Sequence, residues 1–167
     1  MDELPATPAQ LAANPKGGTD AIEGAVEARL RASAALDRLA TQIDFALAGY
    51  ESMVPRARAE VDRLLLDWRE AHRAHRAALT VAALRAGAAP DGAPRWAIWV
   101  QRLIVGTRAW TVGIGRGALG PVVRGEERTL DLYDDAAAAA TEPAMRDLLE
   151  AQRAVLVLLH NRTRDAV

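Results

Sequence analysis

The chain has 167 residues, with 21 basic and 22 acidic side chains, a net charge of −1 and no cysteine. This length fits one domain with its own core. The lack of cysteine excludes disulfides, thiolate metal sites, iron–sulfur clusters and cysteine nucleophiles. The balanced charge argues against nucleic acid as a partner of the whole domain.

The first 18 residues contain three prolines and two glycines, and no apolar segment of the kind found in export signals. Residues 1–18 are predicted to form a flexible tail, followed by a single domain over residues 19–167. The most apolar stretch, from Trp96 to Ile114, contains arginines that the centre of a bilayer disfavours. A cytoplasmic protein is therefore expected.

Four segments show the 3.6-residue apolar period of amphipathic helices. The first runs from about Thr19, which with Asp20 is a candidate N-cap, to Tyr50. Its predicted buried face includes Ile22 and Ala25. The second helix is predicted over residues 55–86, where Pro55 suits the first turn.

The remaining two helices lie in the last third of the chain. The third is predicted over residues 121–140. The fourth begins after Thr141, a candidate N-cap followed by Pro143, and frays after Asn161. No run alternates between apolar and polar residues, so no sheet is expected.

The lengths of the links between these helices predict the topology. Short links join helices 1 and 2 and helices 3 and 4, which indicates two antiparallel hairpins. A long crossover over residues 88–121 joins the hairpins. An all-α fold of two antiparallel hairpins with a long crossover is the connectivity of ferritin-like four-helix bundles.

Several short motifs agree with this fold. They comprise Gly125, Glu126, Glu127, Tyr133, Gln152 and His160, together with the Arg85–Asp91 segment that closes helix 2 and the Trp-containing crossover. Over about residues 20–165 the chain resembles bacterial ferritin-like four-helix-bundle proteins of unknown function, the small stress-associated type. The resemblance implies the fold and a link to stress, but no biochemical activity.

A ferritin-like di-iron site takes one carboxylate from each of two helices and a Glu-x-x-His pair from each of the others. Here Val157 and His72 occupy the positions where the glutamates paired with His160 and His75 would lie. A complete di-iron site is therefore not expected, and no cofactor is predicted. His72, His75, Glu126 and His160 remain as candidate ligands for a divalent metal such as zinc or copper. The alternative is that these histidines are hydrogen-bonded core residues.

The sequence favours a non-catalytic role. Neither serine, Ser33 or Ser52, lies in the sharp strand-to-helix turn of a serine hydrolase nucleophile. The glycine-rich segment 113–117 lacks both the preceding strand and the following Lys-Ser/Thr of a phosphate-binding loop.

The crossover has the most unusual composition in the chain. Residues 92–125 contain five arginines and no acidic residue, and they include three of the four tryptophans. The candidate interaction residues are Arg95, Trp96, Trp99, Arg102, Arg108 and Trp110. Two interpretations stay open: the tryptophans cover one end of the bundle, or they form an interaction surface.

The leading hypothesis is a non-catalytic structural or protein-interaction bundle that binds a partner, or a second copy of itself, through the crossover. One alternative is a metal-binding or oxidative-stress protein with a reduced ferritin-like site. Another is a peripheral protein on an anionic membrane surface. Nucleic acid is not expected as a partner.

Overall fold

The computed structural model describes residues 15–85 and 113–167, with side chains from residue 21 onward. Within these ranges the chain forms four α-helices and no strand. The helices are α1 (Pro15–Met53), α2 (Ala59–Arg85), α3 (Leu119–Ala139) and α4 (Pro143–Arg164). The predicted all-α chain without a sheet is confirmed for these residues. None of the four helices combines the length and apolar character that crossing a membrane requires.

The first helix begins earlier than predicted. α1 starts at Pro15, so neither Thr19 nor Asp20 caps it. Proline fits the first turn because its missing N–H has no helical partner there anyway. The predicted tail is therefore helical from residue 15 onward, and residues 1–14 lie outside the described part of the chain.

α1 is also longer than the core it packs against. It has 39 residues, whereas α2, α3 and α4 have 27, 21 and 22 in the described ranges. No side chain from residue 21 to residue 31 is buried, and burial begins at Ala32. The predicted burial of Ile22 and Ala25 is therefore wrong, because the helical period continues past the end of the bundle core.

The second helix starts at Ala59 rather than at the predicted Pro55, because the preceding residues pair with another part of the chain. A 3-10 turn over Val54–Arg56 is followed by Ala57, whose backbone is extended. Ala57 forms an isolated parallel bridge with Ile114, fixed by two backbone hydrogen bonds of 2.9 Å. The bridge holds the chain that enters α3 against the connection between α1 and α2.

Close approach of the chain at this bridge uses a glycine. A Cβ on Gly115 would lie 2.9 Å from Glu60 Oε1, which also accepts a hydrogen bond from the Arg116 backbone N–H at 3.3 Å.

The start of α4 agrees with the sequence except for its cap. The helix begins at Pro143, but the N-cap is Glu142 rather than Thr141, and no side chain caps it. Glu142 is extended, as the residue before a proline prefers to be. Its carbonyl accepts the N–H groups of Met145 and Arg146 at 3.1 and 3.2 Å.

The end of α4 extends beyond the predicted fraying point at Asn161. The reason is Thr163, whose fully buried side chain links two helices. Trp68 Nε1 on α2 donates to Thr163 Oγ1 at 2.9 Å, and Thr163 Oγ1 donates to the Leu159 carbonyl at 2.8 Å. These bonds hold the last turn in the core.

All four helices contribute to one apolar core. Its largest fully buried side chains include Trp68, Tyr133, Leu39, Ile43, Leu65, Leu149 and Leu156. Seven polar side chains are buried among them: His72, His75, Glu126, Thr129, Gln152, His160 and Thr163. Since buried polar groups are costly unless they are hydrogen-bonded, their partners define the candidate site.

Candidate functional site

The four predicted metal ligands are all buried, but they do not converge on one point. His72, His75, Glu126 and His160 are 0%, 7%, 3% and 8% exposed. The structure brings His72 and Glu126 into contact, while His75 and His160 have other neighbours. Among the residues that the structure describes, no three His, Cys, Asp or Glu side chains are close enough together to hold a metal ion.

The carboxylate of Glu126 accepts hydrogen bonds from two other helices. Tyr50 on α1 donates its hydroxyl to Oε1 at 2.5 Å, and His72 Nε2 on α2 lies 3.1 Å from both carboxylate oxygens. Because the ionised carboxylate only accepts, His72 carries a proton on Nε2. We call Tyr50, His72 and Glu126 the Glu126 cluster.

Aromatic stacking fixes the two donors of the Glu126 cluster. The Tyr50, Trp68 and His72 rings stack with centroids 5.7 to 6.3 Å apart and interplanar angles of 4° to 24°. Trp68 is 0% exposed. The indole therefore limits the rotation of both rings and keeps their donors directed at the carboxylate.

The protonation of Tyr50 follows from its surroundings. Burial raises the pKa of Tyr50 well above its ordinary value, and the negative charge of Glu126 and the hydrogen bond to it raise the pKa further. Tyr50 therefore remains a neutral phenol and a hydrogen-bond donor throughout the physiological pH range.

The surroundings of the second ring nitrogen of His72, Nδ1, indicate whether the ring is charged. His72 Nδ1 is buried without a hydrogen-bond partner. A protonated ring would bury an additional N–H with no acceptor, so the geometry favours the neutral Nε2–H tautomer. Glu126 then holds a negative charge, and no Lys or Arg side chain of the described residues forms an ion pair with it.

A second group of buried polar residues, His75, Tyr133 and Gln152, lies beside the first. Gln152 Nε2 donates to the His75 carbonyl at 3.3 Å, and Tyr133 donates its hydroxyl to Gln152 Oε1 at 3.1 Å. His75 Nδ1 lies 3.1 Å from the Tyr133 hydroxyl, which has no further proton to give, so Nδ1 is the donor. The three bonds form a closed ring that links α2, α3 and α4. We call these residues the Tyr133 cluster.

Both titratable members of the Tyr133 cluster stay neutral near pH 7. Burial lowers the pKa of His75 to about 4, and the charge that the neighbouring His72 acquires in acid adds to the shift. Burial raises the pKa of Tyr133 far above its ordinary value, and the charge of Glu126 adds to that shift.

The low pKa of His75 predicts a loss of stability in acid. Unfolded His75 binds a proton near pH 6.5, whereas the folded side chain resists it down to about pH 4. The contribution is complete above pH 6.5 and is lost as the pH falls towards 4, by up to about 3 kcal/mol. His75→Asn retains a donor near the position of Nδ1 and does not titrate. We expect this variant to lose less unfolding free energy than the parent chain between pH 6.5 and 4.5.

Urea denaturation at a series of pH values tests this expectation, with Leu158→Ala as the control. Leu158 is 66% exposed and its replacement removes no titratable group, so the pH slope should stay that of the parent. Equal slopes in the parent chain and in His75→Asn would contradict the assignment.

Within the predicted ligand set, His160 lies near Glu127 rather than near Glu126. Its Nε2 is 3.5 Å from Glu127 Oε1, and the Glu127 side chain is 56% exposed. The contact therefore joins the buried His160 ring to an exposed carboxylate of the α3–α4 hairpin. It joins neither the Glu126 cluster nor the Tyr133 cluster.

A cavity of about 200 Å³ opens between α1 and the start of α3, beside the Glu126 cluster. Its wall is mostly apolar and includes Phe45, Ala46, Gly49, Met53, Pro121 and Val122. Glu126, Tyr50 and Gln42 supply its polar groups. Phe45 is 50% exposed beside the cavity, so this wall also faces solvent.

Sequence reasoning missed two residues of this region. Neither Tyr50 nor Trp68 is among the predicted site residues, yet they donate to Glu126 and to Thr163. The chemistry of these side chains could have identified them, because a buried tyrosine hydroxyl or tryptophan N–H requires an acceptor. The identity of that acceptor depends on how the helices rotate against one another.

The predicted interaction residues of the crossover lie outside the described residues. These are Arg95, Trp96, Trp99, Arg102, Arg108 and Trp110, all within residues 86–112. Their role stays a prediction.

Comparisons with models of protein families, with curated proteins and with solved structures find no match to this chain. The resemblance to ferritin-like bundles therefore stays a prediction, and the site is interpreted from its own geometry.

Proposed function

We propose that this chain is a non-catalytic helical bundle that acts by binding a protein, in the simplest case a second copy of itself. The observation that carries the proposal is the exposed first half of α1. Ile22, Val26 and Leu30 are 66%, 51% and 66% exposed. Their four-residue spacing places them on one face of the helix. We call these three residues the α1 apolar row.

The contacts between α1 and α2 support the first of the predicted antiparallel hairpins. Asp44 on α1 accepts a bond from Arg76 on α2 at 2.8 Å, and Glu51 accepts one from Arg73 at 3.0 Å. As the residue number increases along α1, the number of its partner on α2 thus decreases. This order is the one expected of an antiparallel pair joined by a short turn.

The second hairpin has the same kind of support. Arg153 on α4 forms an ion pair with Asp134 on α3, and His160 lies near Glu127. Ascending positions on α4 again meet descending positions on α3. Two such hairpins with a long intervening segment fit the ferritin-like connectivity that the sequence predicts.

This register places the α1 apolar row beyond the described residues of α2. Continuing the Asp44–Arg76 pairing to Arg85, the last described residue of α2, reaches Ala35 on α1. The row, which ends at Leu30, extends past this point. The tryptophans and arginines of residues 95–110 lie outside the described residues. We propose from their composition alone that they also contribute to partner binding, since Trp and Arg are favoured at the centres of interfaces.

The charges around the α1 apolar row favour a second copy as the partner. Glu23 and Glu27 are acidic, and Arg29 and Arg31 are basic, all within the same turns of α1. Two copies packed in opposite directions can place acid against base at both edges of the row. The net charge of −1 adds almost no repulsion between copies.

The buried polar residues support a role without catalysis. The Glu126 and Tyr133 clusters bond mainly to themselves, and together they connect all four helices. Polar groups that bond to one another stabilise a particular arrangement of helices. In the two clusters, His72 Nδ1 is the buried side-chain atom without any hydrogen-bond partner.

Light scattering on the purified chain tests the proposal. We expect a mass of at least two chains, and the double variant Ile22→Glu/Leu30→Glu should have the mass of one chain. Its melting temperature should change little, because both side chains are already exposed. Leu158→Glu on α4 is the matched control, since Leu158 is also 66% exposed, and it should leave the mass unchanged.

A monomeric parent chain would contradict the proposal, as would equal dissociation by Leu158→Glu. Trp96→Ala, Trp99→Ala and Trp110→Ala extend the test to the crossover, where loss of assembly without loss of stability supports an interface. Co-sedimentation with anionic vesicles that salt abolishes would instead support the membrane-surface alternative.

Metal binding is the second candidate function, because His72 Nδ1 is unpartnered, while the other ring nitrogen, Nε2, bonds to Glu126. A metal at Nδ1 would need at least two further ligands. His75 would have to leave Tyr133, to which it is bonded at 3.1 Å, to become one of them. A metal bound in this way should dissociate in acid, since protonated imidazole does not coordinate.

A further inference from the structure

We propose that the cavity beside Glu126 is a binding site for a small primary amine that carries one apolar group. The proposal is independent of the α1 apolar row, because it concerns the opposite half of α1 and the start of α3.

Glu126 gives the site a negative charge. Glu126 has donors only from two neutral side chains, the Tyr50 phenol and the Nε2–H of His72. Its carboxylate is therefore a buried negative charge without a cation among its described partners. A buried charge is stable only when it is paired or well solvated, so the site favours a cation that brings its own hydrogen bonds.

The carboxylate also has room for that cation. An ionised carboxylate offers about four lone-pair sites, and Tyr50 and His72 occupy only part of them. The Glu126 side chain is 4% exposed, and Glu126 lines the cavity. We therefore place the ammonium group in the cavity against an oxygen of Glu126, with both donors kept.

The residues that line the cavity determine the chemistry of the ligand beyond its ammonium group. No Arg, Lys or His is among the described residues that line it, so nothing there repels a cation. Phe45, Met53 and Val122 instead present apolar surface. An apolar cavity of about 150 Å³ holds benzene, so about 200 Å³ fits one ring with a short amine arm.

Isothermal titration of the whole chain with benzylamine, benzyl alcohol and benzoate tests the proposal. The three probes share the ring and differ in charge. We expect saturable binding of benzylamine at pH 7, at least about tenfold tighter than benzyl alcohol, because a charge-assisted hydrogen bond replaces a neutral one. Benzoate should not bind.

Two variants separate the carboxylate from the cavity. Glu126→Gln keeps an acceptor for Tyr50 and removes the charge, so the preference for benzylamine over benzyl alcohol should disappear. Gly49→Leu fills the cavity from a helical position where a Cβ meets nothing within 4 Å, so the fold should survive while binding of both probes is lost. Asp131→Asn, an exposed change on the same helix as Glu126, should leave binding unchanged.

Several results would overturn the proposal. They are the absence of saturable benzylamine binding to the parent chain, equal affinity for benzylamine and benzyl alcohol, and equal loss of affinity in Asp131→Asn. Binding that survives Gly49→Leu in a folded protein would also overturn it, because the ligand would then lie elsewhere.

Discussion

Replacing Glu126 by leucine is expected to lower the free energy of unfolding by about 3 kcal/mol or more. The leucine leaves the hydroxyl of Tyr50 and the Nε2–H of His72 buried without an acceptor, and each orphaned donor costs about 1–3 kcal/mol. Urea denaturation followed by circular dichroism measures the loss.

Two related variants show whether the loss comes from these donors. Glu126→Gln should cost less than Glu126→Leu, about 1–3 kcal/mol, because its amide oxygen still accepts from Tyr50. Pairing its N–H group with His72 Nε2 moves the His72 proton to Nδ1, where it has no acceptor. Adding Tyr50→Phe to Glu126→Leu should recover part of the loss, because one orphaned donor is then removed. A Glu126→Leu chain as stable as the parent would show that the cluster contributes little to the fold.

Replacing Trp68 by alanine should have an effect of similar size, about 3–5 kcal/mol. Trp68 is 0% exposed, stacks on Tyr50 and His72 and donates to Thr163 at 2.9 Å. Its removal leaves a large cavity and frees both neighbouring rings.

Trp68→Phe retains an aromatic ring for stacking, although a smaller one, and removes the Nε1 donor. It should cost about 1–3 kcal/mol, mostly from the smaller ring and the lost bond to Thr163. Leu158→Ala, an exposed position, should change the unfolding free energy by less than about 0.5 kcal/mol. If Trp68→Ala costs no more than Leu158→Ala, the stacked rings are not the centre of the core.

The sequence predicted the helices well, because apolar periodicity reports which face of a helix is buried. It predicted their ends less well, since these depend on contacts with distant residues. Ala57 leaves the helical conformation to pair with Ile114, and Thr163 keeps α4 helical through Trp68. In the first half of α1 the period continues past the buried residues that the structure describes, and Ile22 is exposed there rather than buried.

The sequence predicts which residues belong to the candidate site, but not which of them bond to one another. The sequence placed His72, His75 and Glu126 on buried faces, and the structure confirms their burial. Which atoms meet depends on the rotation of each helix, where one residue is a step of about 100°. That step decides that His160 lies near Glu127 rather than Glu126.

We propose that the buried polar residues of the bundle bind one another and stabilise its helices without a bound metal ion. The most direct test is the metal content of the chain purified without a metal-affinity tag, measured by elemental analysis alongside melting curves with and without a chelator. We predict far less than one equivalent of iron, zinc or copper per chain and the same melting temperature in both conditions. One equivalent of metal that His75→Ala removes, with a melting temperature lowered by the chelator, would contradict the claim.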